Sequence, residues 1–253
     1  MSDSLLDTEA AGRLDRGDGT ELAWARLEGD GPTVVFLAGF RSDMQGSKAI
    51  ALRDWCAAQG QAFLRFDYAG HGTSDDVFEN GCIGRWAEDA AIALDKLTTG
   101  PLVLVGSSMG GWISLLLSRR MPDRIQAILG IAAAPDFTED LMWPHFSAAQ
   151  QEALLRDGII HLDSPYGPPV PITRRLIEDG KAQRVLNAPL PFAGPVRLLQ
   201  GMRDAEVPWQ TAIRIADHIA SNDTKVVLIK DGDHRLSRDE DIATLTNTLE
   251  ELL

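Results

Sequence analysis

Val103-Leu104-Val105-Gly106-Ser107-Ser108-Met109-Gly110-Gly111-Trp112 is the stretch on which the reading of the chain turns. An apolar run ends in G-x-S-x-G and passes directly into a helical pattern reaching Leu117. A strand, a sharp turn and a helix in that order place Ser108 at the carboxyl edge of a sheet in strained backbone angles. Gly106 and Gly110 leave room for neighbouring backbone to pass close. The helix starting near Met109 aims its free N–H groups and positive dipole end at the same spot, so the Met109 amide can hold a developing oxyanion. The alternative is a glycine-rich strand-to-helix turn that carries no chemistry.

Outward from this stretch, apolar runs alternate with helical periodicity. Strands are expected at 13–16, Glu21–Leu27, 33–38, Gln61–Phe66 and 125–132, with helices at 47–58 and 84–97. The alternation breaks from Asp136 to Pro195, which hold eight of the thirteen prolines and few strand-like runs. Short helices are expected there at 148–156 and 173–181. A connection this long is uncommon unless it is functional, and it reads as a cap. Strand and helix then resume at 196–200, 208–220, 225–230 and 239–252. Such alternation implies a mostly parallel sheet covered by helices on both faces. The division is a core of 11–135 and 196–253, a cap insertion of 136–195 and a loose tail of 1–10.

A serine hydroxyl needs a general base within hydrogen-bond reach and a carboxylate that orients the base. In a parallel sheet these belong just past the carboxyl ends of strands. Asp204 follows the strand at 196–200, and His234 follows the strand at 225–230. Asp204 can also be read as a cap for the helix that Pro208 starts. Glu206 is the nearest rival acid, and its position two residues farther on points it elsewhere. Asp231 and Asp233 shape the turn before His234. His71, His145, His161 and His218 read as structural or solvated, with His71 and His145 the two that have some chance of facing substrate.

The second oxyanion donor belongs in the loop after the strand at 33–38. The Phe40 amide fits because Gly39 lets the chain turn inward; the Arg41 amide is its rival. The three side chains then support attack of Ser108 on an acyl carbon, proton transfer through His234 and hydrolysis of an acyl-enzyme. No metal or organic cofactor is called for. A serine at this position argues against chemistry that needs a carboxylate nucleophile.

A length of 253 residues suits one domain with an insertion, and the 44% hydrophobic content can supply its core. The net charge of -13 disfavours nucleic acid and anionic membrane surfaces as partners, leaving neutral or acylated substrates open. Cys56 and Cys82 have no metal-ligand spacing and read as free thiols. The polar, acidic start of the chain resembles neither a secretory signal nor a transit peptide, and no apolar run spans a membrane, so a cytoplasmic location is expected.

GSSMGGW (106–112), RFDYAGHGTSD (65–75), GMRDAEVPW (201–209) and DHR (233–235) together resemble the mitochondrial acyl-protein thioesterase branch of the α/β hydrolases, which includes an acyl-glucuronide esterase. The resemblance runs from about Gly31 to the C-terminus. It implies the α/β-hydrolase fold, hydrolysis of fatty-acyl thioesters on proteins and of activated esters, and a catalytic set of Ser108, Asp204 and His234. The transit-like N-terminus of that branch is not matched here. Within the cap, Phe137, Leu141, Met142, Trp143, Phe146 and Tyr166 are candidates for lining an acyl pocket, against the alternative that they form the cap's own small core. Arg174-Arg175 is the one basic pair there that suits a phosphate-bearing substrate. The alternatives are a short-chain carboxylesterase, a capped peptidase of the same fold, or a binding protein without turnover.

Overall fold

The computed structural model describes residues 9–164 and 167–253. Eight strands form the main sheet: β1 (Ala10–Asp15), β2 (Glu21–Leu27), β3 (Asp30–Leu37), β4 (Gln61–Phe66), β5 (Leu102–Ser107), β6 (Ile125–Ile131), β9 (Val196–Gly201) and β10 (Thr224–Ile229), the numbers β7 and β8 belonging to a separate hairpin below. Their order is β1-β2-β4-β3-β5-β6-β9-β10. β2 runs antiparallel to both its neighbours, and every other pairing is parallel. This is the mostly parallel sheet expected. The chain reaches β1 three residues earlier than anticipated, and Glu9 just before it accepts two hydrogen bonds from Arg65 (2.9 and 2.7 Å).

Composition explains the layering. β5 is buried along its whole length, as a central strand covered on both faces must be. Helices α1 (Ser47–Gln59), α2 (Ile83–Leu97) and α3 (Met109–Arg120) connect the central strands; Trp86, Ala90, Ala93 and Leu97 form the inner face of α2. Helices α6 (Gln210–His218) and α7 (Asp239–Glu250) follow β9 and β10. Cys56 and Cys82 are buried free thiols. From β3 the chain first steps sideways to β4 and then crosses to β5 on the other side. The carboxyl ends of β3 and β5 therefore flank the point where strand order reverses, the place where open α/β sheets bind ligands.

The insertion leaves after β6. It has a π-helical turn at Thr138–Met142, helix α4 (Ala148–Asp157), a hairpin of β7 (Ile159–Ser164) and β8 (Gly167–Thr173), and helix α5 (Arg174–Ala182). Both helices were expected; the hairpin was not. Pro171 pairs with His161 in a separate two-stranded sheet, where a strand has a free side and tolerates missing N–H donors. The insertion docks on the first turns of α2 and α3. The Gly84 amide donates to Asp179 (2.7 Å), and Trp112 Nε1 donates to the Gln183 carbonyl (3.1 Å).

Candidate active site

At the end of β5, Ser108 adopts φ 53°, a left-handed conformation strained for a residue with a side chain. Surrounding backbone holds it there. Its amide donates to the Ile131 carbonyl (2.9 Å), and its carbonyl accepts from Gly111 (2.9 Å) and Ala134 (3.0 Å). The glycines around it are obligatory. A Cβ on Gly110 would lie 1.9 Å from the Leu37 carbonyl oxygen, and one on Gly106 would lie 2.3 Å from that of Gly110. The turn thus lets α3 pack directly against the ends of β3 and β5.

Three side chains from different loops meet here. The Ser108 hydroxyl donates to His234 Nε2 (3.1 Å), and His234 Nδ1–H donates to Asp204 Oδ2 (2.8 Å). The Asp204 bond fixes the tautomer that leaves Nε2 free to accept a proton. The Asp204 side chain is buried and fully engaged. Its Oδ1 accepts the Glu206 and Val207 amides (both 2.8 Å), and Oδ2 also accepts Gln200 Nε2 (2.9 Å). Burial pushes this carboxyl up, but the His234 ring and the two amides outweigh it and hold the group below the ordinary carboxylate range. Lys48 of α1 donates to the Arg235 carbonyl (2.5 Å) and so ties down the loop carrying His234.

The loop after β3 lies against the serine. A Cβ on Gly39 would stand 3.4 Å from Ser108 Cβ. The Phe40 and Met109 amides have no acceptor among the described residues, whereas the rival Arg41 amide donates to His71 Nε2 (3.2 Å). Of the two candidates for the second oxyanion donor, Phe40 is the free one. The Phe40 ring is anchored edge-on to Phe78, Trp86 and Phe137.

His71 takes the structural place read for it, whereas Glu206 departs from its reading. His71 is buried, and burial lowers its pKa to about 4, so it stays a neutral acceptor beneath the Phe40–Arg41 loop. The segment around it explains its placement. Asp67 accepts the Met44 (2.7 Å) and Thr73 (2.9 Å) amides, and Gly72 leaves no room for a Cβ against that carboxylate. Glu206 does not point elsewhere: its Oε2 lies 3.6 Å from His234 Nε2. Gln200, fully buried at the end of β9, escaped notice because nothing in one sequence marks a glutamine that will face a carboxylate across a loop. The G-H-G spacing was the available signal for His71.

The proposed pocket residues are placed as follows. Phe146 is buried in the core with Trp143 edge-on at 6.1 Å, and Met142 is half-buried against the same core. Tyr166 lies outside the described residues. Arg174 is drawn to Glu178 (3.6 Å) and the Leu155 carbonyl (3.2 Å). Among the described residues no cluster of three or more His, Cys, Asp or Glu side chains has the arrangement of a metal site, and no helix is long and apolar enough to cross a membrane.

Comparison with known proteins agrees with this fold. A family model described as serine aminopeptidase, S33 matches residues 31–157. Palmitoyl-protein thioesterase ABHD10, mitochondrial, of Mus musculus is 37% identical over 95% of this chain and 81% of that protein. The solved structure of mouse α/β hydrolase domain-containing protein 10 matches with a TM-score of 0.88 and 36% identity, over 96% of this chain and 98% of that one. A putative hydrolase from Agrobacterium vitis S4 matches with a TM-score of 0.91 and 38% identity, again over 96% and 98%. The thioesterase relatives are named as mitochondrial, and the cytoplasmic location expected from the sequence gains no support from them. The chain belongs to the α/β-hydrolase family of palmitoyl-protein thioesterase ABHD10, and it is a hydrolase of the serine type.

Proposed function

We propose that the protein cleaves thioesters, and related oxyesters, of hydrophobic acyl groups through a covalent intermediate on Ser108. The observation that carries this reading is the unbroken hydrogen-bonded line from Asp204 through His234 to the Ser108 hydroxyl, beside two unengaged amides. Ser108 Oγ bonds to the acyl carbon as its proton passes to His234 Nε2, and Asp204 stabilises the imidazolium. The carbonyl oxygen takes up negative charge facing the Met109 and Phe40 amides; one such donor lowers the barrier by about 3 kcal/mol. The bond to sulfur or oxygen then breaks, and His234 returns the proton to the leaving group. Water attacks the acyl-enzyme by the reverse proton path, releasing the acid and restoring Ser108.

The 136–195 insertion acts as the cap over this site in our reading, with Met142, Trp143 and Phe146 contributing to the acyl pocket. Support comes from its docking on the first turns of α2 and α3 and from the name of the thioesterase relatives. A second reading, an aminopeptidase, has the description of the matching family model in its favour.

The test is kcat/KM for p-nitrophenyl esters and acyl thioesters of two, eight and sixteen carbons, with aminoacyl p-nitroanilides alongside. The wild type is expected to prefer long thioesters, and Ser108→Ala to lose roughly 10⁴-fold or more. Preference for the anilides establishes the second reading instead. Unchanged turnover in Ser108→Ala overturns both.

A further inference from the structure

We infer that Glu206 gives the site a charge preference for its leaving group: it favours thioesters and esters whose departing thiol or alcohol carries positive charge, such as an S-acylated cysteine in a lysine- or arginine-rich peptide, over those whose leaving group is anionic. This inference rests on the Ser108–His234 chemistry proposed above.

The geometry is direct. His234 Nε2 must hand its proton to the departing atom, so that atom comes within about 3 Å of Nε2. Glu206 Oε2 is 3.6 Å from the same nitrogen. The carboxylate is then at most about 7 Å from the leaving atom, inside the screening length of physiological salt. It is half-exposed and faces that side of the site rather than the core. Among the described residues no Lys or Arg lies within ion-pair distance of it; its one partner of that kind is His234 itself. A cationic leaving group can therefore supply the positive charge that no Lys or Arg ion pair gives this carboxylate.

A second feature carries the same sign. A cavity of about 530 Å³ is lined by Pro135, Glu139, Asp140, Gln210 and Arg214, among others. Pro135 follows Ala134, whose amide holds the Ser108 carbonyl, and Gln210 opens the helix reached four residues after Glu206. Asp140 is shared by Arg214 and Arg184, whereas Glu139 has no ion-pair partner among the described residues, so an unpaired carboxylate lines the cavity. Phosphate-bearing thiols meet repulsion on this side of the site, and a basic peptide meets attraction.

Two thioesters with the same octanoyl group separate the outcomes: octanoyl-thiocholine, whose leaving group is a quaternary ammonium, and the octanoyl thioester of 3-mercaptopropanoate, whose leaving group is a carboxylate. In water of low ionic strength, a cation and an anion about 7 Å from a carboxylate differ by several-fold in their interaction with it. Wild type at low salt is expected to favour the cationic substrate by several-fold in kcat/KM beyond the ratio of their rates with free hydroxide. That preference falls toward one in Glu206→Gln, persists in Glu206→Asp and shrinks with added salt in the wild type. An equal ratio in wild type and Glu206→Gln overturns the inference, as does a wild-type ratio insensitive to salt, which decides the matter even if the variant fails to fold. Turnover of either substrate by Ser108→Ala overturns the underlying chemistry instead, and fluorophosphonate labelling of Ser108 in each protein tells the two failures apart.

Discussion

β5 and β6 lie side by side, and each leads into left-handed backbone: Ser108 (φ 53°) directly after β5, and Ala132 (φ 46°) then Asp136 (φ 58°) after β6. The polar side chains of Ser108 and Asp136 are treated in opposite ways. Ser108 Oγ has a single partner, His234 Nε2. The Asp136 carboxylate is fully buried and spans to the far end of the insertion, accepting the Val185 (2.8 Å) and Leu186 (2.9 Å) amides. One strained residue presents a reactive group at the strand edge. The other closes a loop of some fifty residues, tying the start of the insertion to its return. Strain alone therefore does not mark chemistry in this fold. What separates the two is whether the side chain's hydrogen-bonding capacity is used up.

The largest effect is expected where that strain is enforced by packing. Gly110→Ala puts a methyl group where the Leu37 carbonyl oxygen already stands, and backbone cannot move aside as a side chain can. Overpacking of this kind costs about 1–3 kcal/mol or more. The same displacement moves the Met109 amide and Ser108 Oγ together, so kcat/KM is expected to fall at least about 10²-fold, since misplacement by an ångström is that costly. A Gly110→Ala protein with wild-type fluorophosphonate labelling and an unchanged Tm would mean that the turn is not held as described.

Asp136→Ala sharpens the other half of the comparison. It strands two buried amides, each worth about 1–3 kcal/mol when left unpaired, so a stability loss of roughly 2–6 kcal/mol is expected in urea denaturation. The labelling rate of Ser108 in the folded fraction should stay within several-fold of wild type, because no Asp136 atom contacts Ser108, His234 or Asp204 among its hydrogen bonds. Loss of labelling without loss of stability would place Asp136 with the reacting groups and erase the distinction.

The same contrast explains what one sequence can disclose. The central strands were legible because burial on both faces demands continuous apolar runs, as in Leu102 to Val105. The elbow and the loops bearing Asp204 and His234 were legible because local spacing fixes their place at strand ends. The β7–β8 hairpin was not, since Pro168, Pro169 and Pro171 argue against a strand until a free side is available. Asp136, Gln200 and Glu206 were hidden for another reason. Each matters through a partner some 28 to 50 residues away or across a loop, and a single sequence shows no such pairing. Glu206 was read as pointing elsewhere because it lies two residues beyond Asp204. The tight turn formed by the Asp204 carboxylate and the Glu206 and Val207 amides brings it back to the His234 ring.

Arg41, beyond β3, is another left-handed residue (φ 56°), and its strain is held by a group that titrates. Its amide donates to His71 Nε2, which accepts only while the ring is neutral. Burial lowers the His71 pKa from 6.5 to about 4. An unfolded chain takes up a proton on this histidine below pH 6.5, whereas the folded one does so only near pH 4. The stability it confers is therefore complete above pH 6.5 and is lost as pH falls toward 4, by about 1 kcal/mol at pH 5.5 and about 3 kcal/mol in full. His71→Gln keeps an acceptor for the Arg41 amide and removes the titration. It is expected to flatten the acid limb of stability between pH 6.5 and 4.5 while leaving kcat/KM at pH 7.5 within a few-fold of wild type. Parallel stability curves for the two proteins over that range would show that His71 is not the neutral acceptor beneath the loop, and the strain at Arg41 would then have to be held by something other than a titrating group.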